Sequence, residues 1–282
     1  MDTIKTLYHK YISNEQYIYA SSGKYIIILI ESPDALINDN TAYIVNPLYA
    51  LYHTNKAQVI SVFDKTNPSS TIKILQHNNY KQNIYRNDNN SHIITFESGK
   101  TTIDSNCTKY DITDILITRG IKYFKSIERA YLYNLLEHNT TFSGLYKEWD
   151  HTGTLRTEIQ CLHGKRHGIE TTYITNNSIP FKRSTTTYSN GIQSGIKTIY
   201  FPDNKICRTI TFKDNKEHGL ATSYFKSGSP SEQSTYDNGI QSGPYTKYYI
   251  TGEPLETGVF ADNFPIPGTW KTHIPKKSQK IE

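Results

Sequence analysis

The sequence predicts a mostly β protein in three parts. An all-β domain fills residues 1–120. A connecting segment with a short helix follows over 121–143, and an elongated antiparallel sheet of stacked β-hairpin repeats fills 144–273. Two observations carry this. Glycines recur at Gly144, Gly168, Gly195, Gly219, Gly243 and Gly268, at intervals of 24, 27, 24, 24 and 25 residues. Five residues after each of the first five stands an aromatic: Trp149, Tyr173, Tyr200, Tyr224 and Tyr248. With aromatics at 12% of the chain, five hits in five is a chance event on the order of 10⁻⁵.

The N-terminal domain reads as short strands over Gln16–Ala20, Lys24–Glu31, Ala42–Asn46, Gln58–Phe63, Thr71–Leu75, His92–Phe96 and Thr101–Ile103. Ile, Val, Tyr and Thr dominate them, and polar links such as Ser32-Pro33-Asp34 separate them. Ser98-Gly99 reads as a hairpin turn between the last two. Asp111–Thr118 is a further apolar run. Ser126 then stands where an N-cap belongs, ahead of a helix over Ile127–Glu137 with Ile127, Tyr131 and Leu135 on one face. Such a helix would close the N-terminal domain or cap the open end of the repeat sheet.

Each repeat opens with Gly and a short run such as Ile196–Phe201, then a turn signal such as Asp203-Asn204 or Ser227-Gly228. A second run such as Arg208–Phe212 follows, and the unit closes on Gly164, Asn190-Gly191, Asp214-Asn215, Asn238-Gly239 or Asp262-Asn263. Gly and Asn tolerate the positive φ that two-residue hairpin turns need. Two runs and two turns make one hairpin per repeat. Pro180 falls in the longest interval, so its extra residues are expected in the mid-hairpin loop. Positions one, three and five after the glycine share a face by strand alternation. They carry Ile196, Thr198 and Tyr200 in one repeat, and Leu220, Thr222 and Tyr224 in the next. The second-strand residues Cys161, Tyr188, Phe212, Tyr236 and Phe260 are expected on that same packed face, with Tyr200 and Tyr224 touching Phe212. The partial sixth unit starts at Gly268. Lys271, Pro275, Lys276 and Lys277 would blunt the last edge, and residues 274–282 read as a disordered tail.

The pattern G-x-x-x-x-(Y/W)-x-x-x-(G/N)-x-(L/I), closing on (Y/F)-x-x-(G/N)-x-x-x-G, resembles the MORN repeat. It looks most like the variant shared by bacterial YwqK-type repeat proteins and repeat proteins of giant DNA viruses. The best matches start at Gly144, with Trp149, Gly153 and Leu155, and at Gly219, with Tyr224 and Gly228. The better-known form has a second Gly two residues after the first. Here those positions hold Tyr146, Glu170, Lys197, Ala221 and Tyr245. The resemblance covers about residues 144–273. It implies a scaffold that joins subunits or self-associates, with the glycines and aromatics as its structural signature. For the better-known form it also implies peripheral membrane or phosphoinositide binding.

Composition narrows the function. Net charge is +5. Residues 144–282 carry 17 basic and 13 acidic groups and residues 1–143 carry 14 and 13, so neither part is a strong polyanion binder. The abundance of Asn, Ile, Lys and Tyr fits an AT-rich genome and the viral resemblance. Three cysteines, Cys107, Cys161 and Cys207, point to a reducing compartment without a disulfide framework. Met1–Lys5 is too polar for a signal peptide, and the apolar run Tyr25–Ile30 is too short for a bilayer. These features place the protein in a cytoplasm, or in host cytoplasm or virion if it is viral.

No nucleophile elbow, phosphate loop, dinucleotide fingerprint or zinc-protease motif is present. His163, His167 and His218 sit near turns. Two hairpins separate His167 from His218, about 19 Å at strand spacing, too far to share a metal. Glu148, Asp150, Asp214 and Glu217 read as solvated. No catalytic residue, metal ligand or cofactor is expected. The leading expectation is a non-enzymatic scaffold with a protein partner or self-association and no nucleic acid. A peripheral membrane module is the first alternative and an enzyme within 1–120 the second. Four tail lysines give about 4 kcal/mol at an anionic leaflet, which is marginal for a single signal.

Overall fold

The computed structural model describes residues 2–37, 44–78, 93–105, 107, 120–176 and 179–275. The chain divides into two compact units. One comprises 1–140 with 147–155, the other 141–146 with 156–282.

In the first unit the strands are β1 (Tyr17–Ser22), β2 (Tyr25–Glu31), β3 (Tyr52–Thr54), β4 (Lys56–Asp64), β5 (Thr71–Ile72), β6 (Ile74–Asn78), β7 (Ile93–Glu97), β8 (Thr101–Ile103) and β9 (Ile121–Tyr123). The main sheet has the order β1-β2-β4-β5, with β8 on β4; β3 pairs β9 and β6 pairs β7. The continuous apolar run of β2 has a physical cause: Ile26, Ile27, Ile28 and Leu29 are all fully buried, so both faces of the strand are covered. One face joins the cluster of Ile18, Ala20, Val59, Val62, Phe96 and Tyr123. Burying each such side chain contributes about 1.5–3 kcal/mol.

Four sequence expectations change here. First, helices α1 (Asp2–Leu7) and α2 (His9–Ile12) precede β1. Ile4 is buried, and Tyr8 stacks on Phe63 with centroids 3.9 Å apart. Ile4, Leu7, Tyr8 and Tyr11 hold helical spacing, a signal short enough to pass for a polar terminus. Second, Ile44–Asn46 form no strand; Ala42 and Tyr43 lie outside the described residues. Third, Gly99 does turn the chain, at φ +84, but β8 leaves to pair with β4. Fourth, the connecting helix is two pieces, α3 (Ile127–Leu132) and α4 (Leu135–His138), broken where Asn134 takes φ +52. Ser126 caps α3, its hydroxyl accepting from the Arg129 N–H at 3.5 Å. The run Asp111–Thr118 lies outside the described residues.

The first repeat's turn belongs to this unit. Trp149 stacks on Tyr49 at 4.7 Å, with the Arg129 guanidinium 5.3 Å from its ring. The Thr152 carbonyl accepts from the Val45 and Asn46 N–H groups.

In the second unit the strands are β10 (Gly144–Trp149), β11 (Leu155–Leu162), β12 (Lys165–Arg166), β13 (Gly168–Asn176), β14 (Ile179–Ser189), β15 (Ile192–Tyr200), β16 (Ile206–Lys213), β17 (Lys216–Tyr224), β18 (Pro230–Asp237), β19 (Ile240–Tyr248), β20 (Pro254–Ala261), β21 (Phe264–Pro265) and β22 (Lys271–Thr272). They form one 13-stranded sheet with β10 at one end of the strand order. Neighbours in sequence are neighbours in space, and their pairing is antiparallel. The extra residues of the long interval lengthen the hairpin rather than its loop: Pro180 pairs with Thr175 and Ile179 with Asn176. The unit starting at Gly268 forms no hairpin among the described residues. Its Trp270 ring instead lies 2.7 Å from where a Cβ on Gly258 would stand, and its β22 pairs with β20. The tail residues 276–282 lie outside the described residues.

Two outcomes follow from this packing. A Cβ on Gly153 would stand 2.1 Å from the Asn46 carbonyl oxygen, whereas nothing lies within 4 Å of one on Gly228; both have positive φ. Gly228→Ala should cost about 1 kcal/mol of left-handed strain, and Gly153→Ala several times more, as read by urea denaturation. His53 on β3 is buried, and burial first, then the Lys122 charge, lowers its pKa to about 4. The unfolded state takes up this proton near pH 6.5 and the folded state only near 4, so stability falls as pH drops through that window. The loss is up to about 3 kcal/mol; His53→Gln should flatten that stretch of the stability–pH curve.

Candidate functional site: the two faces of the repeat sheet

Three devices hold the repeats, though not every repeat carries all three. The first is a two-residue turn with both residues at positive φ: Asn190 and Gly191 at +51° and +86°, Asp214 and Asn215 at +51° and +66°, Asn238 and Gly239 at +50° and +89°. This is the turn whose twist matches a hairpin. His163 occupies one such position at +49° and is exposed, which accounts for its place in the sequence without any ligand.

The second device is a bulge at the repeat glycine. Thr186 pairs with Lys197 and Tyr188 with Gln193, so Thr187 alone faces Ser194, Gly195 and Ile196. The same count recurs at Thr211 with Gly219 and at Thr235 with Gly243. Gly195 and Gly243 both take φ +111, and a Cβ there would meet the threonine Cβ at 3.2 and 3.3 Å. Each threonine hydroxyl donates to the carbonyl one residue past its glycine: Ile196 at 3.2 Å, Leu220 at 3.4 Å and Pro244 at 3.3 Å. The remaining repeat glycines also have positive φ: Gly144 at +145, Gly168 at +83, Gly219 at +84 and Gly268 at +81. The third device ties neighbouring turns. The Asn215 side-chain oxygen accepts from the Gln193 N–H, and Asn263 does the same for Gln241, both at 2.8 Å.

The register separates the faces, and here the sequence expectation is corrected. Thr171, Thr185, Thr198, Thr209, Thr222, Gln233, Thr246 and Thr257 are successive partners across eight strands. This hydroxyl rung shares its face with Ile169, Ile196 and Leu220 on one side and with the tyrosines on the other. Tyr173 donates to Glu158 at 2.7 Å and Tyr248 to Gln233 at 2.6 Å; Tyr200 lies 3.5 Å from the Thr185 hydroxyl. In each case the tyrosine reaches the residue 15 positions earlier. Tyr224 holds the equivalent position and is half-buried. Burial, then Glu158, raises the Tyr173 pKa to about 12.

The second-strand aromatics lie on the opposite face. Phe212 pairs with Gly195, Tyr236 with Gly219 and Phe260 with Gly243. Tyr200 and Phe212 are therefore on different faces. The enclosed rung also lies on that opposite face: Glu170, Thr186, Ile210, Ala221 and Ser234 are all buried and successive except for half-buried Lys197. Position two after the glycine, rather than positions one, three and five, is thus the centre of the packed face. Meanwhile the position-one aliphatics are open: Ile169 is 62% exposed, Ile196 57%, Leu220 52% and Leu145 44%.

The chemistry of this sheet is limited. Glu232, Lys247 and Glu256 are successive partners, so charge alternates in sign rather than forming a basic stripe. Burial raises the Cys161 pKa, which makes it a poor nucleophile. His218 meets Asp237 at 3.2 Å, and His167 is exposed. Among the described residues no three His, Cys, Asp or Glu side chains are grouped to hold a metal ion. No helix among them is long and apolar enough to cross a membrane.

The face assignment has a direct check. Ile210→Ala should cost about 2 kcal/mol, roughly half the usual penalty in a full core. Ile196→Ala should cost under about 0.5 kcal/mol. Equal losses in chemical denaturation would mean that the packed face is wrongly assigned.

Comparison with known proteins agrees with this geometry over a short stretch. Residues 217–238 match the MORN repeat variant family. These residues run from β17 through β18, one hairpin of the sheet. No curated protein matches the chain. Among solved structures, the chain is similar to a mutant TarM of S. aureus in complex with Fondaparinux, alpha-GlcNAc-glycerol and UDP, at 15% identity and TM-score 0.27 over 48% of this chain and 23% of that one. It is similar at 15% identity and TM-score 0.22 to accessory secretory protein 1,2 and 3 of Streptococcus pneumoniae, over 45% of this chain and 22% of that one. The chain thus spans under a quarter of either. What the family match and the sheet support together is a repeat protein whose hairpin at 217–238 matches the MORN repeat variant.

Proposed function

We propose that the repeat sheet is a non-enzymatic scaffold that docks a protein partner, or a second copy, on the face bearing Tyr173, Tyr200, Tyr224 and Tyr248. One observation carries this reading: Ile169, Ile196 and Leu220 are more than half exposed, on strands whose register is fixed by the bulge. A partner lying across the strands would meet an aliphatic anchor at every second strand, about 9.6 Å apart. Threonine hydroxyls and tyrosine rims beside each anchor supply the polar surround of an interface. The match at 217–238 supports a repeat module of this kind. The resemblance to giant-virus repeat proteins supports a place in host cytoplasm or a virion. The repeat glycines act as structural signature, and the first-strand tyrosines serve both as signature and as the rim of that interface.

The test uses the full chain with a photo-crosslinking residue at position 196 or, on the opposite face, at 221. Discrete protein adducts from 196 and none from 221 are expected. The combined change Ile169→Ser, Ile196→Ser and Leu220→Ser should leave the melting temperature within about 3 °C yet remove association. Equal adducts from both faces would sink the reading. Sedimentation with anionic vesicles at physiological salt, lost when the basic tail is neutralised, would favour a membrane role instead.

A further inference from the structure

The N-terminal unit holds a cavity of about 260 Å³ where the free edge of β1 meets the segment 120–124, β6 and the turn into α4. Its wall contains Ser21, Ser22, His77, Lys122 and His138 together with apolar side chains such as Phe124, and no Asp or Glu among the described residues. Two hydroxyls there are held by bases. Ser22 Oγ lies 2.7 Å from His77 Nδ1. Ser21 Oγ lies 2.8 Å from the Lys65 Nζ, which also donates to the Tyr133 carbonyl at 2.8 Å.

These serines differ in access. Ser22 is buried and Ser21 is partly exposed, while Lys65 behind it is only 2% exposed. Among the described residues no carboxylate is paired with this amine. Asp64 is engaged by Lys24 at 2.8 Å, Tyr133 offers its carbonyl, and His77 and His138 stand across the cavity. Burial lowers the Lys65 pKa to about 7. A charged ammonium has three protons to place; a neutral amine sends one N–H to Tyr133 and turns its lone pair to the Ser21 hydroxyl. The backbone adds a donor. Tyr19 exchanges both its hydrogen bonds with Phe124 across the free edge of β1. Alternate residues of an antiparallel strand point their N–H the same way, so the Ser21 N–H is directed to the cavity side.

We infer that Ser21 is a nucleophile with Lys65 as its general base, acting on a small acyl ester. The volume lies below the ~300–1,000 Å³ of drug-sized sites, which restricts the substrate to a small one. In the first step Ser21 Oγ bonds to the carbonyl carbon and its proton passes to Lys65 Nζ. The carbonyl oxygen, now an oxyanion, meets the Ser21 N–H. Collapse breaks the ester C–O bond, and the alcohol leaves with the proton from Lys65. Water, deprotonated by Lys65, then attacks the Ser21 ester; the acyl C–Oγ bond breaks, Ser21 Oγ takes the proton back from Lys65, and the carboxylic acid leaves.

The probe is diisopropyl fluorophosphate on the full chain, with the adduct mapped by mass spectrometry. Attack forms an Oγ–P bond and expels fluoride, and the proton goes to Lys65. Labelling at Ser21 is expected, with a rate that rises about tenfold per pH unit from about pH 5 and levels above about 7. Lys65→Met should keep the fold by circular dichroism and slow labelling about 100-fold or more. Ser22→Ala should leave labelling within about twofold, which tells the neighbouring hydroxyl apart. No adduct at Ser21, a flat pH profile, or undiminished labelling in folded Lys65→Met protein would each overturn the inference.

Discussion

The contact between a threonine and the glycine bulge opposite it is the interaction on which the repeat sheet depends. A regular ladder of nine-residue strands would let each hairpin slide by two residues at little cost. The bulge removes that freedom. Three residues must face one, the middle one must have positive φ, and the threonine must reach the carbonyl just beyond. Only one register satisfies all three. The side-chain faces, and hence the exposed aliphatic row, inherit their order from it.

A second constraint is edge protection. A long antiparallel sheet exposes two edges that invite further pairing. In the second unit the C-terminal edge strand is covered by the short strands β21 and β22, with Trp270 packed among Tyr245 and Phe260 at 5.4 Å from each. In the first unit Trp149 is claimed by Tyr49 and Arg129, so the first repeat's aromatic does a different job from Tyr173, Tyr200 and Tyr248.

Much of the repeat was legible because its determinants are local. Asn-Gly and Asp-Asn pairs demand tight turns, and the glycine spacing marks the bulges. What escaped was the choice of packed face. Tyr200 and Phe212 are both large and aromatic, and composition suggests that they pack together. The bulge and the half-exposed character of a single-layer sheet place them on opposite sides. Small residues such as Ala221 and Ser234 hold the packed centre, both buried. In the N-terminal unit the central strand β2 was plain from its apolar run. The broken helix was not, since only backbone geometry reveals Asn134 at φ +52. The cavity with Ser21 and Lys65 was invisible for a related reason: 44 residues separate the pair, and neither belongs to a motif.

The repeat glycines do not share one conformation. From Gly168 onward φ reads +83, +111, +84, +111 and +81, alternating along the sheet. The turns alternate with them, Asn-Gly then Asp-Asn, and residues 190–195 recur letter for letter at 238–243 as Asn-Gly-Ile-Gln-Ser-Gly. The translational unit is therefore a pair of hairpins, four strands and about 19 Å long. Such a chain can change length by whole pairs with every contact preserved, whereas gaining or losing one hairpin would set unlike junctions side by side. The repeat sheet is a ruler graduated in double steps.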